Sequence, residues 1–346
     1  MPNYRNINVR SPFFTQKATT GSVVNCEIRL WKGDVVTDLP VDYTYLLSKE
    51  PTSGKSTFEV AELARDFLSH TTSLSSGFAW MQIILKDTIV ADDTFTFLVS
   101  EGYSLSTEGL QSTNDTPVFD FVGLPKATIN GVANSSRIMV ADGGANNIPY
   151  FSNSDGANYT VEDSNLVTIP ATTTSSTMVK TKLVNTNDVN VEFDFNDNIE
   201  LVIVDVLRCS KFDVVHLLYV NKAGFKTKFP FILKSTEKIS IDSESFSRST
   251  VDYGALTLNT NSHSSRKRIK DTKQSFVLNS DWIAEYYVSQ FEELMLSEYV
   301  WLQKDLPDGE ELVLPVNITT SKLDKKTHLN DKLINYSIEI ETASNY

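Results

Sequence analysis

The segment Ser53-Gly54-Lys55-Ser56 comes closest to a known chemical motif, because it ends like a phosphate-binding P-loop. A complete P-loop also has a glycine separated from Gly54 by four residues, and that position is Lys49. The loop must in addition open a helix directly, so that backbone N–H groups and the helix dipole hold the phosphates. Helical spacing begins only near Phe58. We therefore interpret this segment as a turn between a strand and a helix.

The histidines show no spacing typical of a catalytic or metal site. His216 lies inside an apolar run, where a neutral core histidine is expected. The other three, which lie in polar segments, are His70, His263 and His328. The motifs G-x-S-x-G and H-E-x-x-H, which mark hydrolase nucleophiles and zinc proteases, do not occur in the sequence. The histidines therefore give no reason to predict a reaction.

The two cysteines, Cys26 and Cys209, lie far apart in the sequence. A disulfide and two independent buried thiols both fit this spacing. We favour the thiols, because a chain of 346 residues can form a stable core without a covalent cross-link. No local cluster of cysteine and histidine supplies the four ligands of a structural zinc site.

Two acidic segments offer oxygen atoms that a cation could bind. Residues 194–200 lack the glycine-containing spacing of an EF-hand loop, so a strand end with turn residues is favoured over a calcium site. Residues 305–311 are interpreted as a hairpin turn. A glycosidase-type carboxylate pair stays open, because its two members come from distant strands. We predict that the chain is not an enzyme, and we assign no catalytic, cofactor-binding or metal-binding residue and no cofactor.

The chain is acidic, with a net charge of −13, and its one dense positive run is Arg266-Lys267-Arg268-Ile269-Lys270, with Lys273 nearby. Nucleic-acid binding depends on neutralising phosphates, so the acidic balance argues against nucleic acid as a partner. Solvation of a strand or loop is the first interpretation of the run. Contact with an acidic surface of another subunit comes second, and nucleic acid third.

No membrane partner is predicted either. Residues 1–6 lack the apolar core of a signal peptide, and no apolar run in the sequence approaches membrane-spanning length. We expect synthesis in a cytoplasm.

The elements that must position all these residues are mainly β-strands. We predict two or three β-sandwich-like domains: residues 1–105, a smaller β insertion or linker over 106–198, and a β domain over 199–346. The few helices include one near 58–70, where apolar residues follow helical spacing, and an amphipathic one near 280–298. In the C-terminal domain, an apolar run over 214–220 stops at Asn221-Lys222-Ala223-Gly224 and restarts with alternating aromatics, which indicates a hairpin.

Several stretches together show a resemblance to known proteins. The most specific is a strand, an Asn-Lys-x-Gly turn and an aromatic strand, followed by a K-S-x-E block. The stretches that carry the resemblance are residues 8–14, 58–70, 219–225, 231–237, 294–301, 314–317 and 333–336. Together they resemble virion structural proteins, tail-associated, of tailed bacteriophages that infect Bacteroidetes. The likeness covers the ends of the chain better than its middle and consists of structural patterns rather than a site.

The resemblance implies a subunit of the tail tip, baseplate or connector ring. Its implied partners are copies of itself in a ring or tube and other tail or connector proteins, and its implied location is the tail region of the virion. Such a subunit needs exposed strand edges that another chain can complete. We expect the turns of the middle domain, such as 172–177, and a long loop over 250–271 to make the contacts and to become ordered in the assembly, with closed cyclic symmetry.

Three alternatives stay open. The first is a host-receptor or carbohydrate-binding tail protein, in which Trp31, Trp80, Trp282 or Trp301 would stack on sugars. Each of these lies in an apolar context, so we expect all four to be buried. The others are a hydrolase of cell-wall glycans and a capsid decoration protein.

Overall fold

The computed structural model describes residues 6–20, 23–32, 39–42, 44–74, 76–105, 111–112, 121–129, 132–151, 158–161, 167–168, 179–195, 199–208, 211–252, 254–258, 261, 263–305, 310–323 and 333–343. These residues form several β-sheets and only two short α-helices, so the predicted mainly β fold class is confirmed.

Two sheets that share one core form the first part of the chain, which we call the N-terminal sandwich. Its elements are β1 (Ile7–Asn8), β2 (Phe13–Ala18), β3 (Val24–Trp31), β4 (Tyr45–Lys49), β5 (Lys55–Glu59), α1 (Ala61–Arg65), β6 (Phe78–Lys86), β7 (Asp93–Ser100) and β8 (Gln111–Ser112). One sheet has the order β1-β7-β6-β3-β4, and the other has the order β5-β2-β8. Alternate residues face inward: Phe13 on β2 and Cys26 on β3 are fully buried, and Ala64 of α1 packs on the same core.

A second pair of sheets forms the middle sandwich. Its strands are β9 (Phe121–Val122), β10 (Ala127–Ile129), β11 (Val132–Ala141), β12 (Ala145–Phe151), β13 (Asn158–Val161), β14 (Val167–Thr168), β15 (Lys180–Asn185), β16 (Asn190–Asp194) and β17 (Ile199–Leu207). The sheet β10-β11-β17-β16-β13-β14 packs against the sheet β15-β12-β9, with Val140, Ile148, Phe193 and Val202 between them. β11 and β17 run parallel and join residues far apart in sequence.

The last part of the chain forms one large sheet with a helix packed on it. Its elements are β18 (Val215–Val220), β19 (Lys226–Phe231), β20 (Thr236–Ser247), β21 (Val251–Asp252), β22 (Thr257–Leu258), β23 (Ser265–Ala284), a 3-10 turn (Glu285–Tyr287), α2 (Val288–Met295), β24 (Val300–Asp305), β25 (Glu311–Ile318) and β26 (Leu333–Thr342). The strand order is β19-β18-β24-β25-β26-β23-β20, which we call the C-terminal sheet. Phe291 of α2 stacks on Tyr336 of β26, with the ring centroids 4.6 Å apart.

The predicted hairpin over β18 and β19 is confirmed, and its turn joins the three parts of the chain. Asn221 is 1% exposed: its Oδ1 accepts hydrogen bonds from the backbone N–H groups of Ala223 and Phe225, and its Nδ2 donates to the carbonyl of Gly123 in the middle sandwich. The carbonyl of Ala223 in turn accepts a hydrogen bond from Ser100 of the N-terminal sandwich. This turn of the C-terminal sheet therefore makes hydrogen bonds with both the middle sandwich and the N-terminal sandwich.

An aromatic cluster fills the space beside this turn. Phe225 contacts Phe78 of β6 and, edge to face, Phe121 of β9, at centroid distances of 4.9 and 5.5 Å. Trp80 of β6 meets Phe151 of β12 at 5.8 Å. All five rings are buried, so burial of apolar area connects the three parts of the chain into one body.

Both predicted helices are shorter in the structure. Residues 58 and 59, at the start of the helix predicted over 58–70, belong to β5, because Phe58 pairs with β2. The α-helix is limited to Ala61–Arg65. Residues 280–284 of the helix predicted over 280–298 belong to β23, which pairs with β26, and α2 covers only Val288–Met295. In both places pairing with a distant strand overrides the local helical spacing.

The long loop predicted over 250–271 is also wrong in part. β23 begins at Ser265, so residues 265–271 are strand, paired with the end of β20. The remaining described loop residues include the small hairpin of β21 and β22. The middle-domain turn at 172–177 lies outside the described residues.

Candidate functional site

The part of the fold that best suits a contact with another molecule is a two-stranded extension of the C-terminal sheet. β26 pairs with β23 only from Ser275 onward, whereas β20 and β23 pair to Ser247 and Ser265. We call residues 239–247 and 265–274 the ribbon. Its nine-residue strand spans about 30 Å. A two-stranded ribbon is at best marginally stable in water, so this extension gains from being covered by something else.

One face of the ribbon carries isoleucines that are exposed to solvent. Directly opposite residues of an antiparallel pair project from the same face, which places Ile239, Ile241 and Ile269 together. Their exposed fractions are 62%, 57% and 61%. Phe276 lies on the same face, opposite Glu237, and packs on the core of the C-terminal sheet. The apolar face of the ribbon therefore continues the buried face of the sheet into solvent.

The opposite face of the ribbon is charged. Lys270 pairs with Glu244 at 2.5 Å, and Lys273 lies 3.7 Å from Glu341 at the base of the ribbon. Asp242 and Asp271 are directly opposite each other, and neither has an ion-pair partner among the described residues. Like charges in opposite positions destabilise a strand pair. Within the described residues Asp242 therefore has no ion-pair partner, although Lys273, opposite Ser240, projects from the same face.

The two long edges of the C-terminal sheet differ in environment. β19 is buried at one edge, where Asn146 of the middle sandwich donates a hydrogen bond to the carbonyl of Lys228. β20 forms the other edge, and all but one of its twelve residues are exposed. In the part of the chain that the structure describes, no strand lies on the outer side of β20. Its outward backbone groups are therefore free to pair with another strand.

A bulge separates the two halves of the ribbon. Asp242 pairs with Asp271 and Ser243 with Ile269, so Lys270 is an extra residue on β23. A bulge increases the local twist of the bulged strand and leaves the partner strand regular. β20, which carries the exposed edge, thus keeps an unbroken alternation.

The basic run predicted from sequence is part of this ribbon. Arg266, Lys267 and Arg268 lie opposite Phe246, Ser245 and Glu244, which places the run in a solvated strand. The interpretation as a solvated strand or loop is confirmed in that respect. Contact with an acidic surface of another subunit stays a prediction.

The P-loop-like segment is a strand-to-strand turn. Ser53 and Gly54 have φ angles of 55° and 77°, and Thr52 and Lys55 exchange backbone hydrogen bonds of 2.8 and 3.2 Å around them. Two consecutive residues with positive φ are typical of a type I′ turn. The prediction of a turn is confirmed, but β5 rather than a helix follows it.

In the described part of the acidic segment over 194–200, Glu200 makes a structural contact. Glu200, 1% exposed, accepts a hydrogen bond from the backbone N–H of Val122 at 2.6 Å and pairs with Lys126. It therefore fastens β17 to the neighbouring sheet. β16 and β17 pair antiparallel, as the prediction of a strand end requires, and residues 196–198 lie outside the described residues.

The hairpin predicted over 305–311 joins β24 and β25, with residues 306–309 outside the described residues.

The histidines have three different environments. The side chain of His70 is buried, lies 3.4 Å from Glu101 and stacks on the ring of Tyr299 with the centroids 4.1 Å apart. Glu101 is also 3.3 Å from Arg65, so this cluster joins the N-terminal sandwich to the C-terminal sheet. Burial and the nearby Lys228 lower the pKa of His216 to about 4, which keeps its ring neutral, as predicted for a core histidine. His263 is exposed. His328 and Cys209 lie outside the described residues, and Cys26 is a buried free thiol.

Three of the four tryptophans are buried as predicted, and Trp282 is not. Trp31, Trp80 and Trp301 are at most 8% exposed, whereas Trp282 is 64% exposed. The register of β23 against β26 shifts between Asn279 and Trp282, with Asp281 at a φ of +68°. The shift reverses which residues face the core, so Ile283 is buried and Trp282 points to solvent.

The burial of some charged residues was not predicted from the sequence. Lys226 is 1% exposed, donates hydrogen bonds to the carbonyls of Ser73 and Ser76 at 2.9 and 2.7 Å, and burial lowers its pKa to about 8. Its position within the aromatic run gave no signal, because lysines on strands are mostly exposed. The sequence of the ribbon does contain a signal, because Ile239 and Ile241 alternate with polar residues, which is the pattern of a strand.

Comparison with models of known protein families and with curated protein sequences gives no match for this chain. Among the described residues, no group of three or more His, Cys, Asp or Glu side chains is placed to hold a metal ion. No helix within the described ranges is long and apolar enough to cross a membrane.

Proposed function

We propose that this chain is a structural subunit of the tail of a tailed bacteriophage that infects Bacteroidetes, and that it acts by associating with copies of itself and with other tail or connector proteins. The observation that carries the proposal is the ribbon, which projects an apolar face and a free strand edge into solvent. The resemblance of the chain's ends to tail-associated virion proteins supports the same role and suggests the tail tip, baseplate or connector ring.

The rest of the molecule supports the proposal through its rigidity. The hydrogen bonds of Asn221 and the aromatic cluster around Phe225 join the three parts of the chain. A rigid body that carries one exposed extension suits a repeated assembly, because each copy then presents its contact in the same orientation.

The test removes the ribbon without disturbing the sheet that carries it. Lys238 and Ser275 are directly opposite, so residues 239–274 can be replaced by Asn-Gly, which closes a two-residue hairpin. We expect the full chain to associate with rising concentration in sedimentation velocity, and the shortened chain to stay monomeric. Circular dichroism and thermal unfolding of both chains check that the shortened variant is folded. A full chain that sediments as a monomer at every concentration contradicts self-association.

The location needs a separate experiment. Image reconstruction of the intact particle, with the sequence fitted to density, should place the chain in the tail region. Finding it only on the capsid surface, or not in the particle, would refute the proposed location.

One observation favours carbohydrate or receptor binding as a second candidate. Trp282 is 64% exposed, and an exposed aromatic ring is a suitable surface for stacking on sugars. A glycan array probed with the wild-type chain and with Trp282→Ala tests this function. Binding that Trp282→Ala abolishes would favour it, and an array without hits would remove it.

A further inference from the structure

We infer that β20 pairs with β20 of a second copy of the chain across a two-fold axis at Ser240, so that two ribbons merge into one four-stranded sheet. The inference rests on the proposed function, because it names the surface through which two subunits meet. It requires an edge strand that is exposed, regular and complementary to itself, and β20 meets each requirement.

β20 meets the first requirement, an exposed edge. All but one of the residues of β20 are exposed, and the extra residue of the bulge lies on β23, so β20 presents an uninterrupted row of backbone groups. The opposite edge of the sheet is already buried against the middle sandwich through Asn146. Strand addition at a free edge is a common mode of association, since backbone hydrogen bonds form along its length.

The apolar side chains then decide the register. With the axis at Ser240, Ile239 of each copy lies opposite Ile241 of the other. Directly opposite side chains in an antiparallel pair are in contact, so four isoleucines that are about 60% exposed in the single chain cover one another. Ile269 of each ribbon lies on the same face and extends this apolar strip.

The charges agree with the same register. Lys238 of one copy lies opposite Asp242 of the other, twice in the pair. This lysine supplies the ion-pair partner that Asp242, placed opposite Asp271, does not have among the described residues of its own chain. Lys238 is 57% exposed and lies 3.5 Å from Glu339 on β26, so in the pair of chains it would exchange this partner for Asp242 of the other copy. An isologous contact needs such self-complementarity.

A shift of the axis by one residue, to Ile241, would place Lys238 opposite Glu244 instead. Glu244 already has Lys270 at 2.5 Å, and the shift would leave Ile239 opposite Ser243. The Ser240 register is therefore preferred on both faces. This contact joins subunits in pairs, and the cyclic contacts of a ring would use other surfaces.

Charge exchange tests the register. Sedimentation equilibrium would give the dissociation constant for the wild-type chain and for Lys238→Asp, Asp242→Lys and the double variant. Each single variant turns two attractive contacts into two repulsive ones, so we expect the constant to rise at least about tenfold. The double variant restores both pairs and should return to within about threefold of wild type. Lys273→Glu, on the same face but away from the edge, serves as the matched control.

Asp242→Lys also separates folding from association. In the single chain it replaces a like-charge pair with Asp271 by an opposite-charge pair, so the monomer should be no less stable than wild type while association is lost. A misfolded monomer would make loss of association uninformative for this variant. In that case the cross-link below provides the deciding measurement.

A cysteine at the axis gives an independent readout. In a background with Cys209 replaced by Ser, Ser240→Cys brings two thiols opposite each other at a spacing that a disulfide can bridge. Mild oxidation should give a covalent dimer, whereas Ser247→Cys, exposed near the far end of β20, should not.

The outcomes separate this inference from the proposed function. If the wild-type chain associates but neither the double exchange nor Ser240→Cys behaves as expected, the Ser240 register is wrong and self-assembly stands. Rescue by Lys238→Glu with Glu244→Lys would instead assign the axis to Ile241 and overturn the inference. A wild-type chain that never associates refutes both.

Discussion

Replacing Asn221 by alanine tests whether one turn holds the three parts of the molecule together. The substitution removes three hydrogen bonds: from Nδ2 to the carbonyl of Gly123, and from the N–H groups of Ala223 and Phe225 to Oδ1, at 2.5, 3.1 and 2.9 Å. Asn221 is 1% exposed, so water cannot readily replace the lost amide. Two buried backbone groups, the carbonyl of Gly123 and the N–H of Phe225, and the partly buried N–H of Ala223 lose their side-chain partner as a result.

The expected loss of stability follows from these three groups. Leaving a buried donor or acceptor unsatisfied costs about 1–3 kcal/mol. Allowing for partial relaxation of the turn, we expect the free energy of unfolding to fall by about 4 kcal/mol. With a urea m-value of about 3 kcal/mol per molar, the midpoint should fall by about 1 M.

The assay is urea denaturation followed by tryptophan fluorescence and circular dichroism. Trp80 lies in the aromatic cluster beside the turn, so its emission reports on this region. Asn279→Ala is the matched control, because it removes one exposed hydrogen bond to the carbonyl of Lys234 and should cost less than about 1 kcal/mol. If Asn221→Ala were no more harmful than the control, the turn would not be the link that its geometry indicates.

Three further predictions concern pH, backbone conformation and thiol chemistry. In the unfolded chain His216 binds a proton near its ordinary pKa, whereas in the folded chain its pKa is about 4. The free energy of unfolding should therefore fall by about 2 kcal/mol as pH drops from 6.5 to 4. The variant His216→Gln should flatten that part of the curve of stability against pH. Gly224 and Gly143 both have positive φ, but only at Gly224 would an added Cβ meet Ser100, so Gly224→Ala should cost at least about 2 kcal/mol more than Gly143→Ala in thermal unfolding. Burial raises the pKa of the Cys26 thiol to about 12, so in a Cys209→Ser background it should react with a disulfide reagent only after denaturant is added, and fast reaction of the native chain would contradict its burial.

Features that depend on neighbouring residues were readable from the sequence. Alternation over 334–340 gave β26, and the Asn-Lys-Ala-Gly turn at 221–224 gave the hairpin of β18 and β19. The turn at Ser53 and Gly54 was recognised in the same way. In each case side-chain period and turn chemistry act over a few residues, so the local sequence contains the required information.

The candidate site was only partly predictable. The basic run at 266–270 was identified and a contact arm was expected over 250–271, but the strand pairing of 265–271 with β20 was missed. The exposed isoleucines give a strand pattern, yet their exposure depends on where β26 ends beside β23. That end is a property of the folded sheet and has no local signature.

Local sequence patterns were enough to predict that this chain forms β-sheets, where many of its strands run and where two of its tight turns lie, because these follow from the period and chemistry of adjacent residues. The tertiary structure decided which strand is left at an edge, which residue a bulge turns outward, as at Trp282, and which charges are buried, as at Lys226 and Glu101. These outcomes depend on contacts between residues tens to hundreds of positions apart, and no local pattern encodes them.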